Sequence, residues 1–225
     1  MSKIKAVIFD FWDTLIPATI DFVHLKSLTE KQDMEMKEFI ARFEEAVQKK
    51  KYASFDELRA DFFWAFGGED KEILEQELYE IFHNRFDKIY FFPGVEATLK
   101  KLRKDGYKLA LMSNTENIYM QRIEEILKLQ EKFDYLGYSF DMNAIKPDPK
   151  TFKTVLAALK VFPKEALMVG DSLRSDIDGA QKVGMHTCYI KRKERTSVKG
   201  SKPEYTIHSI NEISMVLGDL NEKEN

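Results

Sequence analysis

Apolar and polar positions along the chain follow three different rhythms. Ala6 to Phe9 is a short unbroken apolar run ending at Asp10, the pattern of a buried strand that delivers a carboxylate at its C-terminal end. From about Asp21 to Asp87 the period turns helical. Phe39, Phe43 and Val47 fall four apart, Ser54 stands three residues ahead of Glu57 as a helix start, and Gly67-Gly68 is a break. This stretch predicts about four helices and no strand. From Pro93 onward helix and strand alternate. A helix runs to Lys104 and stops at Asp105-Gly106, a strand covers Lys108 to Met112, and a helix covers Ile118 to Leu129. Apolar runs at Tyr135 to Phe140, Leu167 to Val169 and Thr187 to Ile190 then alternate with helices near Thr151 to Leu159 and Asp176 to Val183. The expected fold is α/β: a Rossmann-like, mostly parallel sheet core, covered on both faces, with an inserted alpha-helical segment. Residues 1–16 and 93–225 are expected to form the core and residues 17–92 the insertion.

Composition narrows the function classes. With 225 residues, 44% of them hydrophobic, the chain buries a full core. Lys+Arg 35 against Asp+Glu 38 leaves a net charge of -3, which offers no footprint for nucleic acid. One cysteine, Cys188, cannot form an internal disulfide and points to a reducing, cytoplasmic compartment, and the four histidines show no zinc-like spacing. No apolar run reaches the roughly 18 residues of a membrane span, and the N-terminus lacks a signal-peptide layout, so no membrane partner is expected. The sequence leaves the assembly open between monomer and homodimer.

Open parallel sheets place their chemistry outside the carboxyl ends of the strands. Four such places carry polar residues here: Asp10, Trp12 and Thr14 after the first strand, Ser113-Asn114 after the second, Lys146-Pro147-Asp148-Pro149 before a later helix, and Gly170-Asp171-Ser172 followed by Asp176. Together they supply a carboxylate nucleophile, hydroxyl and ammonium groups for phosphate oxygens, and acids for a divalent cation. Each has a plainer reading alone: Asp10 as a helix cap, Ser113-Asn114 as turn chemistry, Lys146-Pro147 as a solvated loop. Phe62, Phe63, Trp64 and Phe66 read as packed helical interior, Lys191-Arg192-Lys193 as a solvated loop face, and Cys188 as a small core residue.

In order and spacing these segments resemble the haloacid dehalogenase-like hydrolases. Ile8-Phe9-Asp10-Phe11-Trp12-Asp13-Thr14-Leu15 is similar to that family's first motif and Leu111-Met112-Ser113-Asn114 to its second. Lys146-Pro147-Asp148-Pro149 is similar to the third, and Gly170-Asp171-Ser172-Leu173-Arg174-Ser175-Asp176 to the fourth. The helical stretch resembles the family's cap, and Phe92-Pro93-Gly94-Val95 resembles the hinge back to the core. The resemblance implies that Asp10 attacks and forms an aspartyl intermediate. It also implies that Ser113, Asn114 and Lys146 hold the phosphate, with Thr14 supporting the loop. Mg²⁺ would then sit on Asp10, the Trp12 carbonyl and Asp171, with Asp176 as a ligand or as an acid orienting metal-bound water. The implied substrate is a small phosphorylated molecule, with His24, Lys26, Arg42 and Trp64 as unranked contacts that select it.

Trp12 departs from the family pattern. Phosphatases of the family usually carry there a second aspartate that protonates the leaving oxygen, which tryptophan cannot do. Residues two apart on an extended segment share a face, so Trp12 is expected where that acid would point and Asp13 on the other side. Three readings remain: a phosphatase with a diminished or relocated acid, a 2-haloacid dehalogenase or phosphonate hydrolase, and an idle site kept for binding. The acids Asp171 and Asp176 favour the first, because three carboxylates converging without a cation would repel one another.

Overall fold

A computed structural model describes residues 3–18, 34–66, 75, 78–79, 89–192 and 201–223. Strand β1 (Ala6–Phe9) is the centre of a six-stranded sheet, and its four side chains are fully buried on both faces. Val7 and Phe9 enter one apolar cluster and Ala6 and Ile8 the other, as the alternation of a strand requires. Helix α1 (Met36–Val47) and helix α2 (Phe55–Phe66) follow. They pack together around Phe39, Phe43, Val47, Leu58, Phe62 and Phe66 in a third cluster that contains no sheet residue. Phe39 stacks on Phe66 with ring centroids 4.6 Å apart. The N–H of Glu57 donates to Ser54 Oγ at 3.3 Å, so the expected helix start is present.

Gly94, at φ 86, turns the chain into α3 (Val95–Lys104), and a side chain there would strike Asn211. Next come β2 (Lys108–Ser113), α4 (Met120–Leu127), α5 (Leu129–Lys132), β3 (Tyr135–Tyr138), α6 (Ser139–Met142) and α7 (Pro149–Leu159). Strand β4 (Ala166–Gly170) leads into a π-helical turn (Leu173–Asp178), which continues as α8 (Gly179–Lys182). Strand β5 (His186–Ile190), β6 (Tyr205–Ile207) and α9 (Ile213–Glu222) complete the described residues. The strand order is β3-β2-β1-β4-β5-β6, and every ladder is parallel. The expected parallel α/β sheet is therefore what forms.

Several boundaries differ from the sequence reading. The run Tyr135 to Phe140 is a strand only to Tyr138, after which the chain coils into α6. The helix expected over Ile118 to Leu129 starts at Met120 and breaks at Lys128, which adopts φ 50. The helix expected from Asp176 begins earlier, in the π-helical turn. Of the aromatic group, Phe62 and Phe66 are buried, but Trp64 is 88% exposed. Gly67-Gly68, His24, Lys26 and Lys193 lie outside the described residues. Among the described residues no helix is long and apolar enough to cross a membrane.

The chain leaves the sheet after β1 and returns before α3 at one place. The N–H of Phe92 donates to the Leu15 carbonyl at 2.9 Å, which ties the outgoing and returning segments together.

Candidate active site

Asp10 is the first residue beyond β1, and its N–H donates to the Val169 carbonyl of β4 at 2.9 Å, which fixes it between the two central strands. Its carboxylate is nearly buried and is held from two sides. Thr14 Oγ1 donates to Oδ2 at 2.8 Å, and Lys146 Nζ donates to Oδ1 at 2.6 Å. The same ammonium donates to Asp176 Oδ1 at 2.7 Å and to the Met112 carbonyl at 3.0 Å, which uses its three protons. Burial works against the Lys146 charge, but Asp10 and then Asp176 outweigh it and hold the ammonium above its ordinary value.

Asp176 is seated by the π-helical turn. Its Oδ2 accepts from the Ser172 N–H at 3.0 Å and lies against Gly170, where a Cβ would fall 2.2 Å from that oxygen. Glycine at the end of β4 is thus required by the close approach of the acid. Burial pushes Asp176 up to about 6, Lys146 opposing and Asp10 adding to the rise. Asp171 is half-buried beside them. Ligand oxygens of Asp10, Asp171 and Asp176 all lie within 4.8 Å of one another.

That donor set fits a magnesium ion. Mg²⁺ takes hard oxygen ligands at about 2.0–2.1 Å, so opposite ligands stand roughly 4 Å apart, close to the spread of these carboxylates. Lys146 pairs with two of these three carboxylates, and a divalent cation among them would offset the repulsion that remains.

Ser113 ends β2 fully buried, with its hydroxyl 3.4 Å from the Asn114 carbonyl, a long contact that a better acceptor would displace. Asn114 holds the Lys146 loop in place. Its Oδ1 accepts from the Lys146 N–H at 2.8 Å, and its Nδ2 donates to the Lys146 carbonyl at 3.2 Å. Nδ2 also donates to Glu44 Oε1 of helix α1 at 3.2 Å. Sequence reasoning missed Glu44, because it borders the buried stripe of α1 without belonging to it.

Trp12 stands half-buried with its ring edge-on to Phe11, centroids 5.0 Å apart. The chain turns sharply at Asp13, which is buried at φ 55, and its Oδ1 accepts from the Ala18 N–H at 3.0 Å. Asp13 is thereby committed to closing the loop after β1. The reading of Lys191-Arg192-Lys193 as a solvated face fails at Arg192. Its Nε and Nη2 donate to the Thr14 carbonyl at 3.1 and 2.6 Å, and its guanidinium lies 3.9 Å over the Phe92 ring. Burial lowers its pKa, opposed by the charges of Asp13 and Asp171. A groove of about 780 Å³ lined by Arg42, Glu45, Lys49, Trp64 and Asn143 lies elsewhere and includes none of the strand-end residues.

A family model for haloacid dehalogenase-like hydrolases matches residues 4–184. This chain belongs to that family. Among its relatives, a glyceraldehyde 3-phosphate phosphatase of Pyrococcus furiosus is 37% identical over 147 residues, 64% of this chain and 60% of that protein. The haloacid dehalogenase-like hydrolase domain-containing protein 3 of Mus musculus is 37% identical over 150 residues, 64% of this chain and 58% of that protein. The matches thus span less than two thirds of these relatives' lengths. A haloacid dehalogenase-like phosphatase from Thermococcus onnurineus has a TM-score of 0.63 at 28% identity, covering 96% of this chain and 98% of that one. A 2-haloacid dehalogenase from Pseudomonas syringae superposes with a TM-score of 0.64 at 23% identity, covering 96% and 99%, a likeness of fold. Haloacid dehalogenase-like folds of this kind thus carry more than one chemistry, and the chemistry has to be argued from the site.

Proposed function

We propose that this protein is a magnesium-dependent phosphatase acting on a small phosphorylated metabolite, with Asp10 as nucleophile. The observation that carries the reading is the convergence of Asp10, Asp171 and Asp176, two of which, Asp10 and Asp176, share the Lys146 ammonium. Repulsion among three acids makes such a cluster costly to keep for a reaction that needs no cation. Phosphatases among the relatives support the same choice.

In this reading Asp10 Oδ1 or Oδ2 attacks phosphorus, and Thr14 and Lys146 hold the carboxylate so that one oxygen faces the phosphoryl group. Ser113 and the backbone at Asn114 take the phosphate oxygens, whose charge grows as the ester bond breaks, and Lys146 joins them by giving up one of its three present acceptors. Asp10, Asp171, Asp176 and the Trp12 carbonyl would hold a magnesium ion, which would supply the positive charge that a carboxylate needs to approach a phosphate dianion. Residues 17–92 serve as the helical cap over a core of residues 1–16 and 93–225, and the apolar cluster built mainly by α1 and α2, with Ile118 and Tyr119 of the core packed against it, supports that division.

A panel of phosphomonoesters, acyl phosphates, phosphonates and 2-haloacids, each with Mg²⁺ and with chelator, tests the reading. Phosphate release is expected with metal alone, and folded Asp10→Asn should lose at least about 10⁴ of it, as for other enzymes stripped of their nucleophile. Metal-independent halide release from a 2-haloacid would overturn it.

A further inference from the structure

Trp12 stands where the first motif of the family's phosphatases usually carries an acid, and Asp13 Oδ1 is engaged by the Ala18 N–H. A carboxyl does reach the site from helix α1. Glu44 projects from α1 onto the Asn114 amide, which is itself bonded twice to the Lys146 backbone, so Glu44 stands one side chain away from the phosphate-binding loop. Among the described residues this is its one side-chain hydrogen bond, and its carboxylate makes no ion pair. Two other acids of α1 do pair: Glu38 with Arg42 and Glu45 with Lys49. Among the described residues Oε2 of Glu44 takes part in no hydrogen bond or ion pair, the bond from Asn114 going to Oε1.

We propose that Glu44, brought by α1 to the Asn114 amide, is the catalytic acid for the leaving oxygen, in place of the acid that Trp12 does not supply. The proposal rests on the phosphatase reading. As Asp10 attacks, the bond from phosphorus to the ester oxygen breaks, and that oxygen keeps the electron pair and takes the Glu44 proton, leaving as an alcohol. Water then attacks the aspartyl phosphate and gives its proton to the Glu44 carboxylate. The bond between phosphorus and Asp10 breaks, and its electrons return to the Asp10 carboxylate, so both groups end as they began.

The surroundings suit a proton held until needed. Burial first of all raises the Glu44 pKa. The Asn114 hydrogen bond, Lys146 and Arg174 favour the charged form without cancelling that rise, and the Asp10 charge adds to it. A raised carboxyl near the reacting bond meets the demand on a general acid working near neutral pH.

Glu44→Gln in the full chain keeps an acceptor for Asn114 and removes the proton. Turnover is compared for an alkyl ester, glycerol phosphate, and an aryl ester, p-nitrophenyl phosphate, with Mg²⁺ present. We expect kcat for the alkyl ester to fall about 10²- to 10⁴-fold, the usual range for general acid catalysis, and kcat for the aryl ester to stay within a few-fold. The alkaline limb of the alkyl pH profile should vanish with it, and Glu44→Asp should recover part of the rate. Equal losses on both esters would show that Glu44 only positions Asn114, and no loss on either would show that another group gives the proton. Both outcomes overturn the proposal while leaving the phosphatase reading intact. A wild-type protein that turns over neither ester with Mg²⁺ overturns both. Should Glu44→Gln fail to fold, Glu44→Asp carries the same comparison, with the alkyl ester again the one selectively slowed.

Discussion

Asp10 and Glu44 are both carboxylates beside the Lys146 loop, yet the chain secures them differently. Asp10 sits at the end of a fully buried strand, with both oxygens occupied by Thr14 and Lys146 and its N–H held by β4. Glu44 lies on a helix whose apolar partners are in another cluster, and it reaches the site through one amide contact. The sheet side holds its groups by covalent and hydrogen-bonded necessity. The helical side holds its group through contacts that cross between helix and core: Asn117 exchanges two hydrogen bonds with the Tyr52 backbone, and Ser139 Oγ donates to the Gln48 carbonyl. A nucleophile gains from the first arrangement, since misplacement by an ångström is costly, while a group that must admit each substrate gains from the second.

The sharpest way to break this contrast is to remove the sheet side's central charge. Lys146→Met leaves the buried Asp10 and Asp176 facing each other uncompensated, and chemical denaturation should report a loss of about 3–5 kcal/mol. Added Mg²⁺ should restore more stability to this variant than to wild type. A variant as stable as wild type would mean that the two acids relax apart, and the sheet side is softer than described. Next in size, Asp171→Ala removes one oxygen ligand, and the Mg²⁺ concentration for half-maximal activity should rise about 10- to 100-fold, the range seen when metal sites lose supporting ligands. An unchanged titration would take Asp171 out of the site.

Smaller again is the loss from Arg192→Ala, about 1–2 kcal/mol, from two hydrogen bonds to Thr14 and the stacking on Phe92. Faster amide exchange at Phe92 and around Thr14, with the central strands unchanged, would locate that loss where the contrast predicts. The least effect belongs to Cys188. Burial, with Glu212 adding, pushes its thiol from 9.0 up to about 12, so the folded protein keeps a proton that the unfolded chain gives up. Its contribution is fully present below pH 9 and is lost as pH rises from about 9 to 12. Stability of Cys188→Ala should fall less steeply over that window than wild type, and native Cys188 should resist alkylation at pH 8.

Most of the sheet side was legible in the sequence, because strand ends announce themselves. An apolar run that stops at Asp10, Ser113 or Gly170-Asp171 says both where the residue is and what is buried behind it. Lys146 was legible only by its place among them. The helical side was not, since a helical period marks the buried stripe and is silent about the residue beside it. Glu44 differs from Glu38 and Glu45 only in what lies opposite. Arg192 was hidden by its neighbours: three cations in a row read as solvated, but a guanidinium can stack on a ring brought from Phe92, far away in sequence. Strand β6, at three residues, is too short to show an alternation, and the bend at Asp13 follows from a left-handed backbone that the pleat argument had no reason to include.

The bond from the Phe92 N–H to the Leu15 carbonyl has a consequence for how such a protein can change over time. Because the chain departs and comes back at one spot, whatever is spliced between those two residues makes no demand on the spacing of the strands. A longer, shorter or wholly different body could be exchanged there, like a tool on a fixed handle, while Asp10 stays where β1 and β4 put it. If Asp10 is the nucleophile and the insertion selects the substrate, as proposed above, the two are inherited separately, and a chimera that joins a relative's insertion at Leu15 and Phe92 is expected to take on that relative's specificity in one step.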